Sequence, residues 1–301
     1  MAIIHTAPPV AKPHASDTIP GGGGQLYRVI TQIPIYLVLS VWSVLVIFPL
    51  LWLIYSSLKT NPELYASAWA LPAHPQWDNF VRAWEKGQLG WALFSSLFYS
   101  VVSVGVANLF AAMAAYVLSR FQFRGNRAFY YYFMAGVFIP TSLTVIPTYF
   151  LVNNMGLADS RLGLTLVYTA WNIPFAVFVL YGFFKSIPAD LLDAALIDGA
   201  NEFSVFWRII LPLGQSGIVA VSILNFLWVW NELLFALVLV REGPLRSLPL
   251  ALATLKASTY LSADWAVVFA GATITAIPLI LVYILLQHHI IEGATMGALK
   301  G

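Results

Sequence analysis

The chain contains no cysteine, which excludes disulfide bonds, thiol catalysis and cysteine-ligated metal sites. Charged residues are also scarce. They make up 9% of the 301 residues, whereas a soluble domain carries roughly 25%. Because 60% of the residues are hydrophobic, most of the surface must face an apolar medium. The net charge of +2 gives no strong positive field of the kind that recruits nucleic acid. Composition therefore predicts a membrane protein that does not bind nucleic acid.

Motifs for catalysis are missing as well. No G-x4-G-K-[ST] phosphate loop occurs, since the glycine run at residues 21–24 is followed by Gln25. The histidines fall in tails or loops and none has HExxH spacing; they are His5, His14, His74, His288 and His289. We therefore expect no metal, no catalytic residue and no cofactor in this chain, which is not an enzyme by itself and does not hydrolyse ATP.

Long apolar runs define the fold. A helix needs about 20 apolar residues to cross about 30 Å of hydrocarbon, and backbone groups in lipid must be bonded internally. We predict an all-α polytopic membrane protein of about six transmembrane helices. The predicted spans are residues 30–58, 91–119, 128–152, 162–184, 214–240 and 265–287. Prolines at 140, 147, 174 and 278 lie within these spans and predict kinks or breaks.

The two ends of the chain and its orientation follow from local composition. Residues 1–27 are rich in proline and glycine and have no apolar core of a signal peptide, so they are predicted to be a disordered cytoplasmic tail. Residues 28–301 are predicted to form the membrane domain. The short connection that carries Arg120, Arg124 and Arg127 favours an N-terminus on the cytoplasmic side of the membrane.

The loop of residues 185–213 is too polar to span and too regular to be unstructured. Its apolar residues between Leu191 and Ile197 recur at helical spacing. Gly199 is suited to end that helix, and Asn201 to cap a second short one. The loop therefore predicts a helix–glycine–helix knob with small residues at its tip, which is typical of a docking element. The alternative is a hairpin lying on the bilayer, although such helices are usually basic and this loop carries Asp190, Asp193, Asp198 and Glu202.

The same loop carries a family motif. The sequence Asp193-Ala194-Ala195, three residues, Gly199, nine residues and Ile209-Ile210-Leu211-Pro212 resembles the E-A-A…G…I-x-L-P pattern of ABC importer permeases. The one departure is Asp193, which keeps the carboxylate on a shorter arm. Residues 187–200, the run Trp230-Asn231-Glu232 and the ending Gly297-Ala298-Leu299-Lys300-Gly301 look like the oligosaccharide and maltose-type permeases of the inner membrane.

This resemblance implies a function. In that family the loop is a coupling helix seated in a cytoplasmic ATPase that binds the ATP, and both termini are cytoplasmic. A second homologous permease, two ATPase subunits and an extracytoplasmic solute-binding protein complete the importer. The residues that match the coupling region are Asp193, Ala194, Ala195, Asp198, Gly199, Ala200, Ile209, Leu211 and Pro212. The implied cargo is a sugar. A polyol, glycerol phosphate or amino sugar on the same fold remains open, as does an ion-coupled secondary transporter.

Glu232 is the one acid deep in an apolar run, and a membrane-buried ionisable group is a functional hypothesis by default. With Asn231 it is a candidate for the translocation path. The alternative is a structural hydrogen bond between helices, or a site near the outer interface. Some aromatic residues are also candidates to touch substrate, namely Tyr149, Tyr168, Trp171 and Trp228.

Overall fold

A computed structural model describes the backbone of residues 23–298 and the side chains of residues 32–260 and 263–284. The predicted disordered tail, residues 1–27, lies almost entirely outside this range, although the first helix already begins at Gly23. Within the described range the chain is helical, with no β-strand, which confirms the predicted fold class.

The helices follow one another closely. Before the loop of residues 185–213 they are α1 (Gly23–Ser57), α2 (Asn61–Ala66), α3 (Asp78–Lys86), α4 (Leu89–Arg120), α5 (Asn126–Val137), α6 (Thr141–Asn154) and α7 (Arg161–Lys185). From the loop onwards they are α8 (Ala189–Ile197), α9 (Glu202–Val205), a π-helical turn (Phe206–Ile210), α10 (Leu211–Leu213), α11 (Gln215–Asn231), α12 (Leu234–Leu239), α13 (Leu248–Ser262) and α14 (Trp265–Ala298).

Four of the described helices are long and apolar enough to cross a membrane, and the number rises to six if each of two bent pairs counts as one span. The pairs are Asn126–Val137 with Thr141–Asn154, and Glu202–Leu213 with Gln215–Asn231. Spans one, two and four match α1, α4 and α7 within a few residues, apart from the earlier start of α1. The sixth continues beyond the predicted end at residue 287 to Ala298. The chain divides into two compact units, one ending at Leu51 and one starting at Trp52. All features discussed below belong to the second.

The core of the second unit is the contact between α4 and α7. Alanines at 111, 112 and 115 on α4 lie fully or almost fully buried in one cluster with Ala176 and Leu180 of α7. Small residues allow two membrane helices to approach closely, which gains dispersion energy where lipid supplies no hydrophobic driving force. The α4–α7 pair therefore forms the rigid spine on which the other helices are placed.

Two predicted spans are not continuous. The break in the third falls at a proline where the sequence predicts a kink or break, whereas the break in the fifth was not predicted. The third is bent by 102° between α5 and α6, and Pro140 begins the second half because it has no N–H to continue the helix. Pro147 stays inside α6. The fifth ends as α11 at Asn231, with Glu232 in an extended conformation before α12 begins.

The segment from Arg241 to Asp264, which connects the fifth and sixth predicted spans, contains α13. This helix starts after Ser247, has a proline at its beginning and buries Leu248, Leu250 and Leu255. Its apolar side chains pack against α4 and α14, and the helix does not cross the membrane by itself. The sequence prediction missed it because 15 residues are too few for a span.

The connections between the helices form two groups, one at each end of the helices, and hydrogen bonds join the members of each group. At one end Asp264 accepts from Asn61 and Arg82, at 2.9 and 2.8 Å, and Asp159 accepts from the backbone N–H of Arg241 at 2.8 Å. At the other end, Arg120 donates to the carbonyl of Ile187 at 2.6 Å. The connections that six alternating spans place on the same side are thus bonded to one another.

Candidate functional site

The loop of residues 185–213 is fixed to the spine at its base. The Tyr116 hydroxyl of α4 donates to a carboxylate oxygen of Glu202 at 2.5 Å. Arg120, at the end of α4, donates to the carbonyls of Phe184 and Ile187. Leu192, Val205, Phe206 and Ile210 are buried in the same cluster as the alanines of α4. The base therefore moves with α4 and α7.

The turn at Gly199 has the geometry that the sequence predicts. α8 ends at Ile197, and Gly199 has φ +85°, a left-handed conformation that costs a residue with a Cβ about 1–2 kcal/mol. The N–H of Gly199 donates to the carbonyl of Leu196 at 3.1 Å, and that of Ala200 to the carbonyl of Ala195 at 3.0 Å. This pair of bonds is the Schellman motif, which satisfies carbonyls that the helix end leaves open.

The second half of the loop starts as predicted and then differs. The Asn201 side chain accepts the N–H of Ser204 at 2.8 Å, which caps α9. The chain then widens into a π-helical turn from Phe206 to Ile210 before the short α10. A π turn carries one extra residue per turn and is common at functional sites. No local pattern in the sequence predicts this turn.

The tip of the knob is exposed, and it is more apolar than the small residues alone predict. Ile197 is 85% exposed and Phe203 is 70% exposed. Leu191, Leu196 and Trp207 are exposed as well. Large apolar side chains held in water at a rigid tip are typical of a protein contact surface. Sequence reasoning counted Ile197 as part of the apolar face and gave no reason to place it outside the core.

The motif residues separate into an exposed and a packed group. Ala195, Ala200, Ile209 and Leu211 are half-buried and pack against the core cluster. The exposed group is Asp193, Ala194, Asp198, Gly199 and Pro212. A hollow of about 350 Å³ lies beside the turn, between residues 198–201 and Arg208. The structure thus brings the predicted residues into one knob, of which one face is free.

Glu232 lies at the break between α11 and α12 and is 7% exposed. It accepts the hydroxyl of Tyr168 at 2.7 Å, the N–H of Phe235 at 2.8 Å and the N–H of Ala236 at 3.3 Å. The carboxylate therefore caps α12 and joins it to α7, as in the structural alternative. Asn231 is exposed, and its amide donates to the carbonyl of Leu227 at 2.8 Å.

A second hollow, of about 310 Å³, lies between α5, α7 and α11. The rings of Trp171 and Trp228 are stacked there with 15° between their planes and centroids 6.1 Å apart. Asn172 and Asn225 add amides, and each donates a hydrogen bond, to the Tyr168 carbonyl and to Asn108 respectively. The lining residues carry no charge. Two of the aromatic candidates from the sequence meet here, whereas the amides escaped sequence reasoning because nothing local distinguishes them.

Comparison with known proteins gives a consistent picture. The sequence model of the family described as "Binding-protein-dependent transport system inner membrane component" matches residues 107–294. A diacetylchitobiose uptake system permease protein of Streptomyces coelicolor is 37% identical, over 87% of this chain and 87% of that protein. An arabinooligosaccharides transport system permease protein of Halalkalibacterium halodurans is 32% identical, over 85% and 91%.

A crystal structure of a bacterial ABC transporter that imports alginate has a chain with the same fold, with TM-score 0.72 and 21% identity over 90% of this chain and 99% of that chain. The family match covers more than half of the chain, and the fold is that of an importer subunit. The protein belongs to the inner membrane components of binding-protein-dependent transport systems, and it is a multi-pass permease of the ABC importer class.

Proposed function

We propose that this permease imports a neutral sugar or oligosaccharide and that the loop of residues 185–213 is its contact with a separate ATPase. In this proposal the loop and both chain termini are cytoplasmic. A second homologous permease completes the pathway, two ATPase subunits bind and hydrolyse ATP, and an extracytoplasmic binding protein delivers the solute. The observation that carries the proposal is the shape of the loop, which has a bonded base and a free apolar tip.

The base explains how the loop transmits a displacement. Glu202 is bonded to Tyr116 of α4, and Ile187 to Arg120. The same α7 that leads into the loop carries Trp171 and Asn172 in the central hollow. Because packed helices move as rigid bodies, a push on the tip displaces α4 and α7 together. The hollow changes shape as a result.

The chemistry of the central hollow supports a neutral sugar. Indole rings stack on the apolar faces of sugar rings, and amides exchange hydrogen bonds with hydroxyls. Its volume of about 310 Å³ lies at the lower end of small-molecule sites. Relatives named for uptake of diacetylchitobiose and arabinooligosaccharides favour the same class of cargo. A phosphorylated cargo would call for a cation, and none lines this hollow.

The test of the loop uses Ile197→Asp. The side chain is 85% exposed, so the change costs the permease little folding energy but places a charge in the proposed contact. We expect loss of the co-purified ATPase and of ATP-dependent uptake. Leu71→Asp is the matched control because Leu71 is 76% exposed and lies between α2 and α3, away from the loop; it should retain both. Equal ATPase retention in the two variants would refute the proposed contact.

Gly199 needs a different control. No heavy atom lies within 4 Å of a Cβ built there, but φ is +85°, so Gly199→Leu adds backbone strain as well as bulk. Asn tolerates this conformation better than other residues with a Cβ. Gly199→Asn should therefore carry less backbone strain than Gly199→Leu, and a loss of ATPase from a folded Gly199→Asn variant reports on the contact.

The cargo is tested by uptake of labelled sugars into cells that carry the complete importer, with Trp171→Ala and Asn172→Ala beside the wild type. We expect saturable uptake of at least one oligosaccharide and weaker uptake in both variants at unchanged ATPase retention. Uptake of a charged solute in preference to every sugar would refute the cargo assignment and leave the loop assignment intact.

A further inference from the structure

A large polar hollow lies where α4 and α7 end and α5 begins, beside the loop but distinct from its tip. It has a volume of about 700 Å³ and is lined by the end of α4, the connection to α5, and Tyr181 and Lys185 of α7. Arg120 and Arg127 also line it, and Arg124 lies in the same connection. Three cations therefore line one concave surface, and a fourth lies in the adjoining connection.

Within the described part of the chain, no acidic residue lines the hollow or forms an ion pair with its cations. The lining residues include no Asp or Glu, and all ion pairs among the described side chains involve Arg82 or Lys86. Arg120 uses one nitrogen on two backbone carbonyls, while its buried Nε has no partner. Lys185 donates to the Tyr181 hydroxyl at 3.3 Å and lies over that ring. Uncompensated charge of one sign in a hollow attracts an anion.

The hollow is built rather than left open by chance. Gly125 turns the chain with φ +96°, and the Asn126 amide donates to the carbonyls of Leu118 and Phe121, at 3.0 and 2.6 Å. Tyr181 packs on Tyr130 with ring centroids 4.4 Å apart. These contacts fix the connection between α4 and α5 without using its cations.

The surroundings indicate where the anion comes from. Exposed aromatic side chains flank the hollow along the connection and the start of α5; they are Phe121, Phe123, Phe129, Tyr131 and Tyr132. Aromatic residues concentrate where membrane helices meet the headgroup layer. Basic pockets between helices at that depth bind the headgroups of anionic lipids. We infer that this hollow binds the phosphate of an anionic phospholipid, whose chains lie along the exposed aromatic residues.

The experiment measures which lipids the purified full-length chain retains in nanodiscs of equal phosphatidylglycerol and phosphatidylcholine. The variant Arg127→Gln/Lys185→Gln removes two cations of the hollow. Unlike Arg120, neither side chain donates a hydrogen bond to a backbone carbonyl among residues 23–298. The control Arg241→Gln/Lys256→Gln removes the same charge outside the hollow. Each cation near the headgroups contributes about 1 kcal/mol. The ratio of retained phosphatidylglycerol to phosphatidylcholine should therefore be about 10- to 30-fold higher for the wild type and the control than for the hollow variant. Exchange of the bound lipid should accelerate in high salt.

Equal lipid preference in the hollow variant and the control would overturn the inference. So would binding of inorganic phosphate by the detergent-solubilised chain with no preference among lipids, because the ligand would then be a soluble anion. This outcome is independent of the ATPase contact, which Ile197→Asp tests separately.

Discussion

Substitution of Glu232 is the strongest test of which contacts stabilise the broken fifth span. The Glu232 carboxylate accepts three donors at the start of α12, of which the Tyr168 hydroxyl and the Phe235 N–H are close, at 2.7 and 2.8 Å. Glu232→Ala removes the acceptor and leaves both donors buried. Since a stranded buried donor costs about 1–3 kcal/mol, we expect a loss of about 2–6 kcal/mol in the free energy of unfolding.

Glu232→Gln separates the cap from the charge. Its carbonyl can accept from Phe235, and its NH2 group can donate to the oxygen of Tyr168. The variant therefore loses the weaker bond from Ala236 at 3.3 Å, the acceptor of the Tyr168 O–H proton and the charge assistance. We expect a cost of about 1–2 kcal/mol. Because the carboxylate is occupied as a cap rather than free to exchange protons, this variant should retain normal uptake.

The assay is unfolding in mixed micelles by added SDS, followed by tryptophan fluorescence, with Tyr168→Phe as the partner change. In the double variant Tyr168→Phe/Glu232→Ala no hydroxyl is left stranded, so its cost should fall short of the sum of the single costs by about 1 kcal/mol or more. Equal losses for Glu232→Ala and Glu232→Gln, or additive costs in the cycle, would refute the role of Glu232 as a cap. Abolished uptake in a well-folded Glu232→Gln variant would instead assign the carboxylate a direct role in transport.

Two further predictions concern other sites. Burial raises the pKa of Asp264. Hydrogen bonds from Asn61 and Lys86 and the charge of Arg82 lower it by more than burial raises it, so the pKa lies below the ordinary value. Asp264→Asn should therefore lower the free energy of unfolding by about 1–3 kcal/mol near neutral pH. In melting curves this difference from the wild type should vanish as the pH falls below about 4, because the wild-type carboxylate then takes up its proton. A difference independent of pH would refute the charged role. In α7, a Cβ at Gly163 would lie 2.1 Å from the carbonyl oxygen of Leu157, whereas one at Gly182 meets nothing within 4 Å. Gly163→Ala should lower the melting temperature and Gly182→Ala should leave it unchanged or raise it, and the reverse order would contradict the packing at Gly163.

The sequence predicts the spans well because each is a local property. An apolar run of sufficient length in lipid has little choice but to be a helix, and the matches to α4 and α7 show it. The turn at Gly199 is equally local, since a left-handed residue after a helix favours glycine. Its caps at Gly199 and Asn201 were therefore predictable to the residue.

The exact positions of the breaks and the hollows were not predictable, because they depend on contacts between residues distant in sequence. Pro140 and Pro147 give the same local signal, yet only Pro140 begins a new helix, because the neighbours of each position decide which kink is tolerated. The apolar run through Glu232 gave no sign of a break, since the cap depends on Tyr168, 64 positions away in sequence. The stacking of Trp171 on Trp228 is likewise a tertiary contact. Exposure of Ile197 at the tip is a property of the folded loop.

The corner between α5 and α6 limits which face of the protein lipid can cover. With its 12 residues, α5 is about 18 Å long, so the corner lies within the hydrocarbon layer of about 30 Å. Phe138 is 76% exposed there. The N–H groups of Phe138 and Ile139 donate to the carbonyls of Ala135 and Gly136, but an interrupted helix leaves further carbonyl groups without a helical partner. Hydrocarbon offers such groups no hydrogen bond. Water or another protein chain must seal this face, and a solitary copy would leave a polar seam in the bilayer.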